Sequence, residues 1–438
     1  MNPRYERWRW ITFGVTWLIY AGFYFTRQAF GVAKAAIEKD PRIRLSRADQ
    51  GNIDTAFGVT YMLGQFIFGA LGDRFGAKRI LLLGMTLSIL AAVATGYSTA
   101  YMAFVALAIV QGFAQSTGWS NAAKVMSSWF SLRERGRVIG WWCTHYTVGS
   151  AAALAFAGWL MLRWSQWRSG AAASSTVPPF WPAAFWGAAA VLTAVLMVAW
   201  LLLRNRPEDV GLPPIEEYHS EPVSLLSGET PAAPAAERSW TVIAEVLMTP
   251  RIWILATAYF SVKLTRYVFY FWGPKYVNES LGSDSYESAM TAAAMPIGGL
   301  VGVILTGYIS DKMFRSRRAP VAVLSLLATA GVLFLGMNPI HNIWLMGAFF
   351  FVVGMFLFGP DSLISATASI DFGTKRGAAT AVGFVNGIGS IGQIFGGLLP
   401  GRITTAGNWA PIFVVMLVGL SFSAMMLMPL WNTKPPTR

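Results

Sequence analysis

One cysteine in 438 residues, Cys143, leaves no internal disulfide to draw, so the fold must hold without one. Charge is scarce as well: Asp, Glu, Lys and Arg together make up 13% of the chain, against about 25% in a typical soluble domain. Acids are the scarcer sign, with 21 Asp and Glu against 34 Lys and Arg, and histidine occurs 3 times. These shortages exclude a charged disordered chain and a disulfide-stapled secreted domain. What fills the sequence is apolar: 55% hydrophobic residues and a mean hydropathy of +0.48. Such a chain belongs in a bilayer. The net charge of +13 would suit nucleic acid, but Lys and Arg clustered between apolar runs are what membrane topology demands, and no nucleic-acid partner is expected. The runs are continuous and not alternating, which excludes a membrane β-barrel.

Runs long enough to cross a hydrocarbon core lie near 8–33, 53–72, 79–98, 101–123, 137–162 and 180–203, then 252–276, 289–310, 319–337, 343–368, 377–400 and 409–432. The expected fold is therefore all-α, with twelve transmembrane helices in two six-helix bundles, 1–203 and 251–438. Between them 204–250 reads as an exposed linker, with Pro207, Pro213, Pro214, Pro222, Pro231 and Pro234 among small and acidic residues. One set of loops holds 22 of the 34 cations and the other 9, so the positive-inside rule puts both termini and the linker in the cytoplasm. The first run carries Arg27 and has no small-residue cleavage site, and it reads as a retained span.

The two halves repeat landmarks in order. Gly72-Asp73-Arg74-Phe75-Gly76-Ala77-Lys78-Arg79 follows the second span, and Ser310-Asp311-Lys312-Met313-Phe314-Arg315-Ser316-Arg317-Arg318 follows the eighth. Phe25-Thr26-Arg27 in the first span matches Leu264-Thr265-Arg266 in the seventh. Duplicated halves with a binding site near the midplane are the organisation of secondary transporters. The Gly-x-x-x-Asp-Arg-x-Gly-x-Lys-Arg stretch from Gly69 resembles the loop signature of the major facilitator superfamily. Asp73 could cap a neighbouring helix while Arg74 faces the cytoplasm, so the pair is a candidate gate; topology-setting charge alone also explains it.

Arg27, Lys263 and Arg266 lie within apolar spans, where a cation costs roughly 2.5 to 3.5 kcal/mol on insertion scales. Neither span contains an acid to neutralise them, so two arginines at equivalent positions are expected to await an anion from outside the protein. The planar guanidinium fork suits a tetrahedral dianion better than a lysine does. Snorkelling of the side chains to an interface is the competing explanation. Tyr20 and Tyr24 share a helical face with Arg27, Lys263 lies one turn before Arg266, and Tyr61 and Gln65 are spaced by four on the second span. His145 could follow substrate protonation or be a hydrogen-bonded core histidine. Asp361, after Gly359-Pro360, could pair with a cation of the site or carry a proton. At this point both readings stand.

Tyr24-Phe25-Thr26-Arg27-Gln28-Ala29-Phe30, and Arg266-Tyr267 with Phe271-Trp272-Gly273-Pro274-Lys275-Tyr276, resemble first- and seventh-helix patterns of the organophosphate:phosphate antiporter family. Gly112-Phe113-Ala114-Gln115-Ser116-Thr117-Gly118-Trp119 with Trp129-Phe130 and Glu134-Arg135-Gly136, and Gly359-Pro360 with Gly383-Phe384, Gly387, Gly389 and Gly392, resemble others. The resemblance implies a multi-pass transporter with Arg27 and Arg266 as phosphate ligands. It adds Tyr146, Trp119 and Asn386 to the candidate substrate set. Gln65 stands where relatives carry lysine, and Trp142-x-x-His145-x-x-Val148-Gly149 and Lys263-Leu264 are closer to the eukaryotic sugar-phosphate exchangers.

The expected activity is exchange of a sugar phosphate or glycerol-3-phosphate for inorganic phosphate by alternating access, by a monomer in a bacterial inner membrane. Proton- or sodium-coupled organic-anion transport and a transporter-like sugar-phosphate sensor are the alternatives. No nucleotide loop, metal cluster or nucleophile motif points to an enzyme, a metal or a cofactor.

Overall fold

The computed structural model describes residues 2–131, 138–139, 141–169, 180–218, 244–314, 317–368 and 378–433, and within these the side chains of Phe66, Gly69, Ala70, Asp73, Glu216, Asp311, 366–368 and 378–380 are left aside. Apart from an isolated bridge between Thr405 and Asn408, the regular structure of these residues is helical. The first half contributes α1 (Pro3–Glu38), α2 (Arg47–Phe75), α3 (Ala77–Tyr97), α4 (Tyr101–Ser116), α5 (Gly118–Trp129), α6 (Thr144–Ser169) and α7 (Pro182–Leu202). The second contributes α8 (Pro250–Leu281), α9 (Ser285–Lys312), α10 (Arg318–Leu335), α11 (Ile343–Ser362), α12 (Ala378–Ile403) and α13 (Ala410–Leu427). Eight of them are long and apolar enough to cross a membrane by composition alone. The expected spans land on these helices, with α4 and α5 sharing the fourth.

Local chemistry sets the ends. Asn2 caps α1 by accepting from the Arg4 amide, with Pro3 in the first turn. Ser46 and Asp49 form a reciprocal capping box on α2. Gly76, at φ 89°, takes the turn between α2 and α3 that a side chain would strain. At Ser116-Thr117 both hydroxyls donate to carbonyls three residues back, at 2.7 and 2.8 Å, where the fourth span breaks into α4 and α5.

The chain divides into two compact units, 1–227 with 284–290, and 228–283 with 291–438. In the first, Phe23, Met126, Trp129 and Trp142 belong to one buried cluster. In the second, α12 lies directly on the α8 backbone: a Cβ at Gly392 would meet the Phe260 carbonyl, and one at Gly396 the Leu264 carbonyl. Small residues allow this approach where lipid supplies no hydrophobic drive between helices. Of the expected linker, 219–243 lies outside the described residues, as do Glu134-Arg135-Gly136.

Candidate functional site

In the first unit the candidates converge on Arg27. Its side chain is buried, with 9% of the residue exposed, so it does not snorkel out of the protein. Nε donates to Gln115 Oε1 at 2.7 Å. Gln115 is held in turn: its amide nitrogen donates to Thr26 Oγ1 at 3.0 Å, Thr26 meets Ser88 Oγ at 2.9 Å, and Gln111 donates to Ser88 Oγ at 2.7 Å. Among the described residues, rings surround the guanidinium, Tyr24 at 4.8 Å, Tyr61 at 4.9 Å and Phe57 at 5.9 Å. Rings that take the faces of a guanidinium leave its in-plane N–H edges for oxygen.

Beside this group, the Tyr20 and Tyr61 hydroxyls lie 3.5 Å apart. His145 is fully buried among aromatic rings, with Tyr20 at 4.3 Å, Trp142 at 4.4 Å, Tyr146 at 5.9 Å and Trp119 at 6.1 Å. Neither of its nitrogens has a hydrogen-bond partner among the described residues. Gln65, half-buried one turn beyond Tyr61, stays outside the hydrogen-bond network of Arg27 among the described residues.

In the second unit Arg266 is also buried, at 8% exposure. It too lies among three rings, Phe358 at 4.8 Å, Tyr270 at 5.1 Å and Tyr267 at 5.7 Å. The expectation that neither arginine meets an acid is wrong for Arg266, whose Nη1 donates to Asp361 Oδ2 at 2.8 Å. The acid comes from α11, 95 residues further on, and an inspection of the arginine's own span could not reveal it. Of the two readings of Asp361, the ion pair is therefore present. Lys263 directs its ammonium to the Asn386 carbonyl at 3.4 Å and Ser390 Oγ at 3.3 Å, over the Tyr259 ring at 5.2 Å. The Asn386 amide donates to the Ser365 and Val382 carbonyls. Ser390 reaches Lys263 because Gly389 lets α12 lie against the Tyr259 ring and the Lys263 stem.

Gln115, Phe57, Phe358, Tyr259, Tyr270 and Ser390 were not singled out in the sequence, and Tyr267 entered only beside Arg266 in the seventh-helix pattern. Gln115 stands in a quoted run, but nothing in the run says which of its polar residues turns to Arg27. Of the candidate gate, Arg74 is exposed and lies over the Phe75 ring at 5.3 Å, while the Asp73 side chain is outside the described set.

The Major Facilitator Superfamily model matches residues 16–382. Sugar phosphate exchanger 3 of Bos taurus is 30% identical across 87% of this chain and 79% of its own length. This chain belongs to the Major Facilitator Superfamily, in the organophosphate:phosphate antiporter family. It is thus a multi-pass membrane protein with the twelve-helix fold of transporters, and not an enzyme. The membrane sensor protein UhpC of Escherichia coli (strain K12) is 29% identical over the whole chain and 95% of its own. Among solved structures, a bacterial homologue of the human lysosomal transporter Spinster, inward-facing and occupied, superposes with a TM-score of 0.68 at 16% identity, covering 99% of this chain and 98% of that one. That likeness supports the fold alone.

Proposed function

We propose that this protein exchanges a phosphate ester, a sugar phosphate or glycerol-3-phosphate, for inorganic phosphate by alternating access, with Arg27 and Arg266 as ligands of the phosphoryl group. The observation that carries the reading is the repeated environment of these two cations. Each is buried within a bilayer-spanning helix, each is ringed by three aromatic side chains, and each occupies the same place in its repeat. A cation retained there at such cost is retained for anion handling. Tyr20, Tyr24 and Tyr61 in one half, and Lys263 and Asn386 in the other, supply polar groups for the remainder of the substrate. The protein acts as a monomer in a bacterial inner membrane, with its termini and linker cytoplasmic.

Counterflow of labelled phosphate into phosphate-loaded liposomes tests the reading. Arg27→Lys and Arg266→Lys should each abolish uptake, because an ammonium lacks the bidentate fork. Full activity in both variants would refute it. The full-length similarity to a membrane sensor favours a second reading, in which a sugar phosphate binds and no flux follows. Saturable binding without counterflow would select it.

A further inference from the structure

Asp361 is an unusual member of an ion pair. It is buried, and Oδ2 holds Arg266 at 2.8 Å, yet Oδ1 accepts no hydrogen bond among the described residues. A buried carboxylate kept for stability has its lone pairs satisfied on both oxygens. Here one oxygen is desolvated and without a hydrogen bond among the described residues.

The backbone around it is equally irregular. Pro360, immediately before it, cannot return an N–H to the carbonyl one turn back. Two residues later the chain passes into a π-helical segment, Leu363–Ala368, a winding that concentrates at functional sites. Arg266 stands on α8, which α12 holds by glycine-to-backbone contact at Gly392 and Gly396. The acid therefore sits beside irregular backbone, and its partner on a helix in direct backbone contact with α12.

Other groups lie on the elements packed around this carboxylate, among the described residues. From α8 come Arg266, Lys263, and the phenols of Tyr259, Tyr267 and Tyr270, with Tyr259 in electrostatic reach of Asp361. Facing residues of α12 are neutral, Asn386 and Ser390, and α9 places neutral Thr306 against Gly359. Arg318 of α10 lines the wall beside Leu363 and Ile364 and donates to Ser310 Oγ at 3.1 Å. A second anion arriving at Arg266 would face Asp361 in a low-dielectric setting, where two neighbouring negative groups do not both stay ionised.

Resting on the organophosphate reading, we infer that Asp361 is the site where proton binding is coupled to anion binding. The phosphoryl oxygens take over the Arg266 fork, Asp361 leaves it, and the freed carboxylate accepts one proton from solution on an oxygen no longer needed as an ion-pair acceptor. When the anion departs, that proton returns to solution and the carboxylate returns to Arg266. Proton and anion thus bind with positive cooperativity, and each raises the affinity of the other by the same factor.

Titration calorimetry of the purified full-length protein, in buffers of different ionisation enthalpy, counts protons taken up per ligand. Glucose 6-phosphate at pH 8 is a suitable probe, since a phosphate monoester with a second pKa of about 6 brings no proton of its own. The wild type should take up about one proton per bound ester, and its Kd should rise about tenfold per pH unit. Asp361→Asn should take up none and bind on the order of tenfold more tightly or better, having lost the internal competitor for Arg266. Binding by the wild type without proton uptake overturns the inference and leaves the organophosphate reading intact, a result that depends on no variant folding. Uptake that persists in Asp361→Asn, or that is lost in His145→Gln while Asp361→Asn keeps it, also overturns it. Absence of binding by both glucose 6-phosphate and inorganic phosphate overturns the organophosphate reading itself.

Discussion

Replacing Gln115 by Glu should disable anion binding at Arg27 more completely than deleting its side-chain amide. The residue is fully buried, its carbonyl lies 2.7 Å from Arg27 Nε, and the bond from its nitrogen to Thr26 fixes which end of the amide meets the guanidinium. Gln115→Leu removes a charge-assisted hydrogen bond of about 1.5 to 3 kcal/mol, so phosphate affinity should fall roughly 10- to 100-fold as Arg27 loses its orientation. Gln115→Glu keeps the acceptor and adds a negative charge. At about 4 Å and an effective dielectric near 20, unit charges interact by about 4 kcal/mol, which favours the Arg27–Glu pair and opposes a phosphoryl oxygen at the same fork. Affinity should therefore fall on the order of 10³-fold. Equilibrium binding of labelled phosphate to purified protein measures both variants, with thermal melting in detergent as the check on folding. Binding by Gln115→Glu close to wild type, in a protein that melts normally, would refute the assignment of Arg27 as a phosphate ligand. A larger loss in Gln115→Leu than in Gln115→Glu would show that geometry, and not charge, governs the site.

Three further predictions concern stability. Lys34 of α1 and Asp54 of α2 form a buried ion pair, so Asp54→Asn should cost about 3 to 5 kcal/mol, while joint replacement by Met and Leu should recover most of it; equal melting of wild type and Asp54→Asn would contradict this. Gly302→Leu should prevent recovery of a monodisperse protein in size exclusion, because its Cβ would overlap the Met355 carbonyl of α11, whereas Gly307→Ala meets nothing and should be tolerated. In the loop after α1, the Arg42 side chain binds Asp40 through Nε at 3.0 Å and Nη2 at 2.7 Å, and with Trp181 it holds that carboxyl well below the ordinary range. A depressed carboxylate stabilises the fold fully above its unfolded pKa of about 3.9 and loses that contribution as pH falls toward the folded value. The melting difference between wild type and Asp40→Asn should accordingly be flat from neutral pH down to about 5 and shrink below about 4; a difference that grew on acidification would reverse the sign of the argument.

The spans were legible because a bilayer forces a continuous apolar run, and a cation inside such a run announces itself by its cost. The Tyr20, Tyr24 and Arg27 grouping followed from helical spacing, and the structure brings it together with Tyr61. Partners supplied by other helices were a different matter. Asp361 and Gln115 reach their arginines across 95 and 88 residues of chain, and helical spacing says nothing about such separations. The π segment after Asp361 has no marker beyond the proline before it. A glycine pattern showed that α12 would lie close to another helix, but only the packed pair shows that this closeness places Ser390 and the Asn386 carbonyl under Lys263.

The duplicated halves preserve an environment more faithfully than they preserve residues. Around Arg27 the rings come from one turn back on its own helix and from α2; around Arg266 they come from its own helix, one and four residues onward, and from α11. No ring position corresponds between the two, yet both guanidiniums end up among three aromatic faces. A guanidinium in the bilayer interior must be stabilised by whatever packs against it, and an aromatic face does so while leaving the N–H fork open. The hydrogen-bond acceptors, by contrast, have diverged, an amide on Arg27 and a carboxylate on Arg266. An amide has no charge state to change, whereas a carboxylate can be neutralised by a proton. With the proposed coupling at Asp361, exchanging the acceptors, Gln115→Glu with Asp361→Asn, should leave no proton uptake at the Arg266 side, read by calorimetry with the ester at saturating concentration.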